Sequence, residues 1–442
     1  MSFPKYPEYK DSGVDWLGEV PSHWSIARTK RLFQIVGGST PKSDNDLYWD
    51  GDIVWITPAD LSHLRSFEIL DSARRITAEG LASCGTTMVP KGSIVLSTRA
   101  PIGSLGISDV GLCTNQGCKC LIAVNIIEPR FYAYMFSIAS VQLNIRGKGT
   151  TFLELSGDAL AAFELVFPPR YEQSVISAFL DRETAKIDAL VAEQEKLIDL
   201  LKEKRQAVIS HAVTKGLDPN VPMKDSGVEW LGEVPEHWAI KRLKHLSPQI
   251  SVGIVVNPSN YVADEGYPFL YGGDIAEGQV RVDGARRISG EDSKRNGKTQ
   301  LKQGDIVTVR VGAPGVSAVI PAECEGGNCA SVMLIRKGMF NPEWLCFAMN
   351  SRMVRYQVEL VQYGAAQEQF NISHAVEFLV ATPPKEEQDS ITDHLLAVIS
   401  KIDDLIDTSR HAIDLLKERR SALISAAVTG KIDVRGLADV TQ

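Results

Sequence analysis

The chain has 442 residues, 44% hydrophobic and 23% charged, with a formal net charge of −8. This composition excludes a disordered or fibrous protein, and the length leaves room for roughly two to four domains. An acidic total argues against indiscriminate binding to nucleic acid, but phosphate contacts need only local Lys and Arg, which a net count averages away.

Residues 1–11 are polar and charged, so no secretory signal is expected. No run of about 18 apolar residues predicts a membrane span. The seven cysteines follow no framework spacing, which predicts reduced thiols and a cytoplasmic protein without a membrane partner.

In chain order, residues 10–24 read KDSGVDWLGEVPSHW. Trp16, Leu17, Val20 and Trp24 predict a packed turn, either a brace for the following domain or a docking surface. Residues 36–166 read as short strands between Gly, Pro, Asn and Asp signals, for example Ile53-Val54-Trp55-Ile56 and Ser93-Ile94-Val95-Leu96-Ser97. A short helix is expected at 129–139. After Pro168-Pro169, residues 171–213 contain neither Gly nor Pro, and Gly216 follows as a stop. There the apolar Ile176, Leu180, Ile187, Leu190, Val191, Ile198, Leu201 and Val208 fall three and four apart, a coiled-coil-like stripe.

The chain then starts again. Residues 224–238 read KDSGVEWLGEVPEHW and match 10–24 at thirteen of fifteen positions, offset by 214. Ala73-Arg74-Arg75-Ile76 recurs as Ala285-Arg286-Arg287-Ile288, and Leu200-Leu201-Lys202-Glu203-Lys204-Arg205 as Leu415-Leu416-Lys417-Glu418-Arg419-Arg420. Strands are expected within 305–311 and 330–335, and a helix at 342–350. Residues 385–428 again lack Gly and Pro, and Gly430 follows. Ile391, Leu395, Val398, Ile402, Leu405, Ile406, Ile413, Leu416 and Leu423 form the second stripe.

The flanks of the two copies agree, whereas 36–166 and 251–381 diverge. That pattern fits a common scaffold reading two different targets, or an old duplication whose centres drifted. A helix of some 43 residues, roughly 65 Å long, needs a partner for its stripe, and the other copy supplies one. The expected fold is α+β: two tandem mixed α/β target-recognition domains joined by two long antiparallel coiled-coil-like helices with pseudo-two-fold symmetry. The boundaries are 1–167 for the first domain, 168–216 for its helix, 217–382 and 383–432 for the second pair, and 433–442 for a tail. Gln194 and Ser409 interrupt the stripes at matched positions, either setting register or merely tolerated.

This organisation resembles the specificity subunit of type I restriction-modification systems over nearly the whole chain. The resemblance is carried in the first copy by Gly37-Gly38-Ser39-Thr40-Pro41, Tyr48-Trp49, the run from Gly51 to Leu61, Thr114-Asn115-Gln116-Gly117, and Gly149-Thr150-Thr151 before Leu155-Ser156. The second copy departs from it: Tyr271-Gly272-Gly273-Asp274 replaces the run ending in Thr57-Pro58-Ala59-Asp60, and Gly327-Asn328-Cys329-Ala330 stands where Asn115-Gln116-Gly117 would. The resemblance implies that each domain reads one half of a bipartite, asymmetric site on double-stranded DNA. It implies that the helices set the gap and dock two modification subunits, which carry S-adenosylmethionine and methylate adenine. Restriction subunits would join to cleave. The alternative is a repeat scaffold that binds protein only.

Base reading needs donors and acceptors at groove edges, with phosphate contacts fixing register. The DNA-binding candidates are Thr40, Lys42, Ser43, Arg74, Arg75, Arg99, Lys148 and Thr150 in the first copy. In the second they are Arg286, Arg287, Arg295, Lys298, Arg310, Gln367 and Gln369. The shared arginine pairs favour a phosphate role, since base contacts should differ between targets. No catalytic motif stands out. Asn341-Pro342-Glu343-Trp344 lacks the second proline of an amino-methyltransferase motif and reads as a helix start. Gly297-Lys298-Thr299 lacks the first glycine of a P-loop. Cys113, Cys118, Cys120, Cys324 and Cys329 read as buried strand thiols rather than metal ligands. The chain is thus expected to be a non-catalytic subunit that binds no metal or cofactor itself.

Overall fold

A computed structural model describes residues 3–99, 101–148, 153–362 and 370–437. The fold is α+β. It divides into two compact units, Met1–Gln194 with His411–Gln442, and Glu195–Arg410. Each compact unit takes about half of each long helix, and the apolar stripe of one half closes its core together with a half of the other.

In the first unit, Tyr9–Asp11 pairs antiparallel with Glu19–Pro21, and Ser25–Arg28 with Glu164–Phe167. The second pairing clasps the two ends of the recognition region. Between them lies a five-stranded sheet in the order Phe33–Gly37, Cys118–Ala123, Ile94–Ser97, Leu105–Ser108 and Glu68–Ile69. A three-stranded sheet places Trp49–Ile56 between Leu112–Thr114 and Arg75–Ile76. The helix Pro129–Ile138 contributes Phe131, Tyr132 and Phe136 to a core that also buries Trp24 and Phe163. Ile176, Phe179 and Leu180 from the start of the first long helix join this core. So do Leu423, Ile424, Ala427 and Val428 from the end of the second, so the two helices run antiparallel.

The second unit repeats the frame. Met223–Asp225 pairs with Glu233–Pro235, and Ala239–Arg242 with Leu379–Thr382. Its recognition region has two four-stranded sheets and a short hairpin, Ile275–Ala276 with Gln279–Val280. Trp238, Trp344 and Phe370 sit in a core closed by Ile209, Ala212 and Val213 of the first long helix and Ile391, Leu395 and Ile399 of the second.

The long helices are Arg170–Lys215, 46 residues, and Lys385–Val428, 44 residues. The buried apolar residues along their seam are Ile187, Ile198 and Leu201 on the first, and Ile391, Leu395, Ile399, Ile402, Ile406 and Ile413 on the second, spaced by threes, fours or sums of these. Three residues expected in the stripes do not belong to it. Leu190 and Leu405 are 46% and 53% exposed, and Val398 is only half-buried. Leu190 and Leu405 lie one residue before the seam positions Val191 and Ile406, and Val398 one before Ile399. A period of 3.5 passes them by. Ser409 is buried on the seam and Gln194 is half-buried. Each unit also makes the same ion pair between the helices, Arg420 to Asp188 at 2.8 Å in the first and Arg205 to Asp403 at 3.9 Å in the second. No helix among the described residues is long and apolar enough to cross a membrane.

Candidate nucleic-acid interface

The turn at residues 10–24 is anchored to the long helix through one carboxylate. Glu172, in the first turn of that helix, is fully buried. It accepts from Trp24 Nε1 at 2.9 Å and Tyr6 OH at 3.1 Å, and it lies 2.7 Å from His23 Nε2. Glu387 does the same with Trp238 at 3.0 Å and His237 at 2.7 Å. The neighbouring Gln173 and Gln388 accept from the backbone N–H of Glu128 and Asn341, where short helices begin. The Glu-Gln pairs after Pro-Pro and the Trp-rich turns are therefore one device: a brace between frame and helix. Gly216 and Gly430 end the helices with φ of +77° and +74°, and each packs against the frame tryptophan of its unit. Burial and the Glu172 carboxylate push the Tyr6 hydroxyl far above its ordinary value.

On this frame, two distant motifs of the first unit meet. Gly38 lies against the Thr114–Asn115 backbone so closely that a Cβ would stand 2.1 Å from the Thr114 carbonyl oxygen. Ser39 N–H donates to Thr114 O, and Thr40 Oγ1 is 2.5 Å from Gln116 Oε1. Two indoles tie the loop down, Trp55 Nε1 to Ser39 O at 3.0 Å and Trp49 Nε1 to Lys42 O at 3.1 Å. Thr40, Lys42, Ser43 and Gln116 are thereby gathered on one exposed loop pair.

The second unit builds the same junction with other residues. Gly253 packs on Cys329, and a Cβ there would lie 2.3 Å from its carbonyl oxygen. The parallel pairing of Leu270 with Cys329 matches that of Ile56 with Thr114. Ala330 therefore takes the place of Asn115, and this loop loses a polar side chain that the first unit has.

The shared arginine pairs split by role. Arg74 is exposed and sits over the Trp49 ring, its Cζ 3.6 Å from the centroid, and Arg286 sits over Tyr271 at 4.2 Å. Arg75 and Arg287 are half-buried. Arg75 is held by Asp71 at 2.9 Å, and that contact lowers the Asp71 pKa. Beside Arg74 runs a cleft of about 560 Å³ floored by Ile56, Leu61 and Ile69 and edged by Asp60 and His63.

The remaining candidates scatter. Arg99 and Lys148 meet at Glu154, Arg99 through an ion pair at 3.3 Å and Lys148 through backbone pairing. Arg295 is paired within its own helix to Glu291 and Asp292, and Lys298 is exposed on the next turn. Arg310 donates to Phe370 O at 3.1 Å and so pins a loop. Thr150, Gln367 and Gln369 lie outside the described residues. Sequence reasoning missed Gln116 as a contact, and gave Trp49 and Tyr271 only as motif residues, not as the rings beneath Arg74 and Arg286. No local pattern announces a ring that meets its arginine only through strand pairing.

Asn341 caps the helix Pro342–Asn350, accepting from the N–H groups of Glu343 and Trp344, and Gly297–Thr299 is a single 3₁₀ turn. Cys113, Cys118, Cys120 and Cys329 are buried on strands, and Cys324 is buried on a 3₁₀ turn. Burial pushes Cys113 up to about 11 and Cys120 up to about 12, which keeps both protonated at neutral pH.

Residues 21–199 match the family described as "Type I restriction modification DNA specificity domain". The chain is 25% identical over 440 residues to the type I restriction enzyme MjaIX specificity subunit of Methanocaldococcus jannaschii, covering 97% of this chain and 98% of that protein. It is 22% identical over 341 residues to the EcoBI specificity subunit of Escherichia coli, covering 75% and 72%. Two solved structures share its fold. One comes from work on the assembly and conformational transition of a type I restriction-modification system, with a TM-score of 0.70, 16% identity and coverage of 92% and 98%. The other is the HsdS subunit of Thermoanaerobacter tengcongensis, with a TM-score of 0.51, 17% identity and coverage of 93% and 98%.

Proposed function

The chain belongs to the DNA specificity subunits of type I restriction-modification systems, and from that premise we propose that each unit reads one half of a bipartite, asymmetric site on double-stranded DNA. The observation that carries this reading is the duplication itself. The Trp–His–Glu brace and the helix–helix Arg–Asp pair are made twice with the same residue types, and the clasp recurs as the same antiparallel pairing, while the loops they hold differ. A common mount with unlike reading surfaces suits two unlike half-sites.

The paired helices fix the gap between the halves and dock two modification subunits. Those subunits bind S-adenosylmethionine and methylate adenine. Restriction subunits complete the nuclease, and the assembly works in the cytoplasm. This chain supplies sequence choice and no chemical step. Two half-sites read from one face lie roughly 34–36 Å apart, about one turn of DNA.

The test is a binding selection. The chain with its modification subunits is offered a pool of random duplexes at near-physiological salt. Enrichment of two short sequences at fixed separation supports the reading. Equal retention of all duplexes refutes it.

A further inference from the structure

In each unit an exposed arginine lies on an aromatic ring, and that ring meets a second, buried ring edge-on. In the first unit Arg74 lies on Trp49, whose centroid is 5.2 Å from that of Trp55 at an interplanar angle of 80°. In the second, Arg286 lies on Tyr271, which is 5.1 Å from Phe269 at 64°. Trp55 and Phe269 correspond through the 214-residue offset, as do Thr57 and Tyr271. The platform rings do not correspond. Trp49 precedes its partner ring in the strand Trp49–Ile56, where the pairing with Ile76 shifts register and Asp50 takes φ +59°. Tyr271 follows its partner ring, at the position where the first unit has Thr57. The same arginine is thus backed by a ring delivered from two different places, so the stacking recurs although its scaffold does not.

We propose that Arg74 and Arg286 are the phosphate clamps common to both recognition units, each held ready by its ring. This rests on the reading of the chain as a DNA specificity subunit. A guanidinium seated over a ring face keeps its N–H donors free for a further partner, and its planar fork matches a phosphate bidentately. The ring removes rotamer freedom before DNA arrives, so less is lost on binding. Cation–π contact leaves the charge unneutralised, unlike Arg75, which Asp71 pairs. A residue kept in two units with unlike loops suits the part of DNA that is alike in both half-sites, its backbone. It sets register and carries no base preference.

The test uses the full chain with its modification subunits and measures Kd for cognate and unrelated duplexes across a salt series. Arg74→Gln and Arg286→Gln are each expected to weaken binding roughly tenfold on both duplexes and to reduce the salt slope by about 0.9 per clamp. Arg74→Lys should keep the slope. Tyr271→Leu should keep the slope while weakening binding about threefold, the range of an exposed cation–π contact. Unchanged melting temperatures confirm folding. An unchanged slope in both Gln variants overturns the clamp. So does a loss confined to the cognate duplex, which marks a base contact. If the unaltered complex prefers no duplex, the reading of the chain as a specificity subunit fails instead.

Discussion

Replacing Glu172 by Ala tests the brace and its asymmetry. Glu172 is fully buried and accepts from two buried donors, Trp24 Nε1 and Tyr6 OH. Removing the carboxylate strands both, at about 1–3 kcal/mol for each buried group left unsatisfied, so the loss is roughly 2–6 kcal/mol. A unit of this size loses about 2–4 °C per kcal/mol, which places the fall in melting temperature at roughly 4–24 °C. Glu387 has a side chain 28% exposed and holds Trp238 and His237. Glu387→Ala should therefore cost about 1–2 kcal/mol, with one buried donor stranded. Thermal and urea denaturation of both variants read these losses, and the cycle with Trp24→Phe isolates the indole–carboxylate coupling. Equal losses at the two glutamates would refute the asymmetry, and a loss below about 1 kcal/mol at Glu172 would refute the brace.

Three further outcomes are expected. Gly38→Ala pushes a methyl into the Thr114 carbonyl and should destabilise by about 1–3 kcal/mol or more, with the first half-site losing selectivity before the second; protection by DNA footprinting reads this. Arg336 pairs at 2.6 Å with Asp305, which is 2% exposed. Arg336→Leu leaves that buried carboxylate without its cation and should cost about 3–5 kcal/mol by urea denaturation, whereas a neutral result would show that its backbone donors suffice. Glu68 is held at about 2 by hydrogen bonding to Arg130. A depressed carboxylate stabilises above its unfolded pKa, about 4.3, and loses that contribution as pH falls towards about 2. Glu68→Gln should flatten the acid arm of stability in this window by only a few tenths of a kcal/mol, since the pair is partly exposed; an unchanged acid arm would show no coupling.

Much of this molecule was legible in the sequence because its order is local or repeated. The helices announce themselves by the absence of Gly and Pro and by the stop glycines. The duplication separates frame from reading surface. The stripe was read with a small error at Leu190, Val398 and Leu405, since apolar residues flank the seam and spacing alone does not say which of two neighbours faces inward. The site was less legible. The Gly38–Thr114 junction and the Arg74–Trp49 stack join residues 76 and 25 positions apart, through strand pairings that no window of sequence contains. The carboxylate paired with Arg99, Glu154, was hidden for the same reason, whereas Glu291 and Asp292 lie within one helical turn of Arg295, where spacing alone could have shown them.

The most direct test of the account is a map of methylated bases in a host that carries this chain with its modification subunits. The account predicts one bipartite motif, two short unlike sequences separated by a fixed gap, each with a methylated adenine. It further predicts that exchanging residues 251–381 changes one half alone. A single undivided motif, or an exchange that alters both halves together, would contradict it.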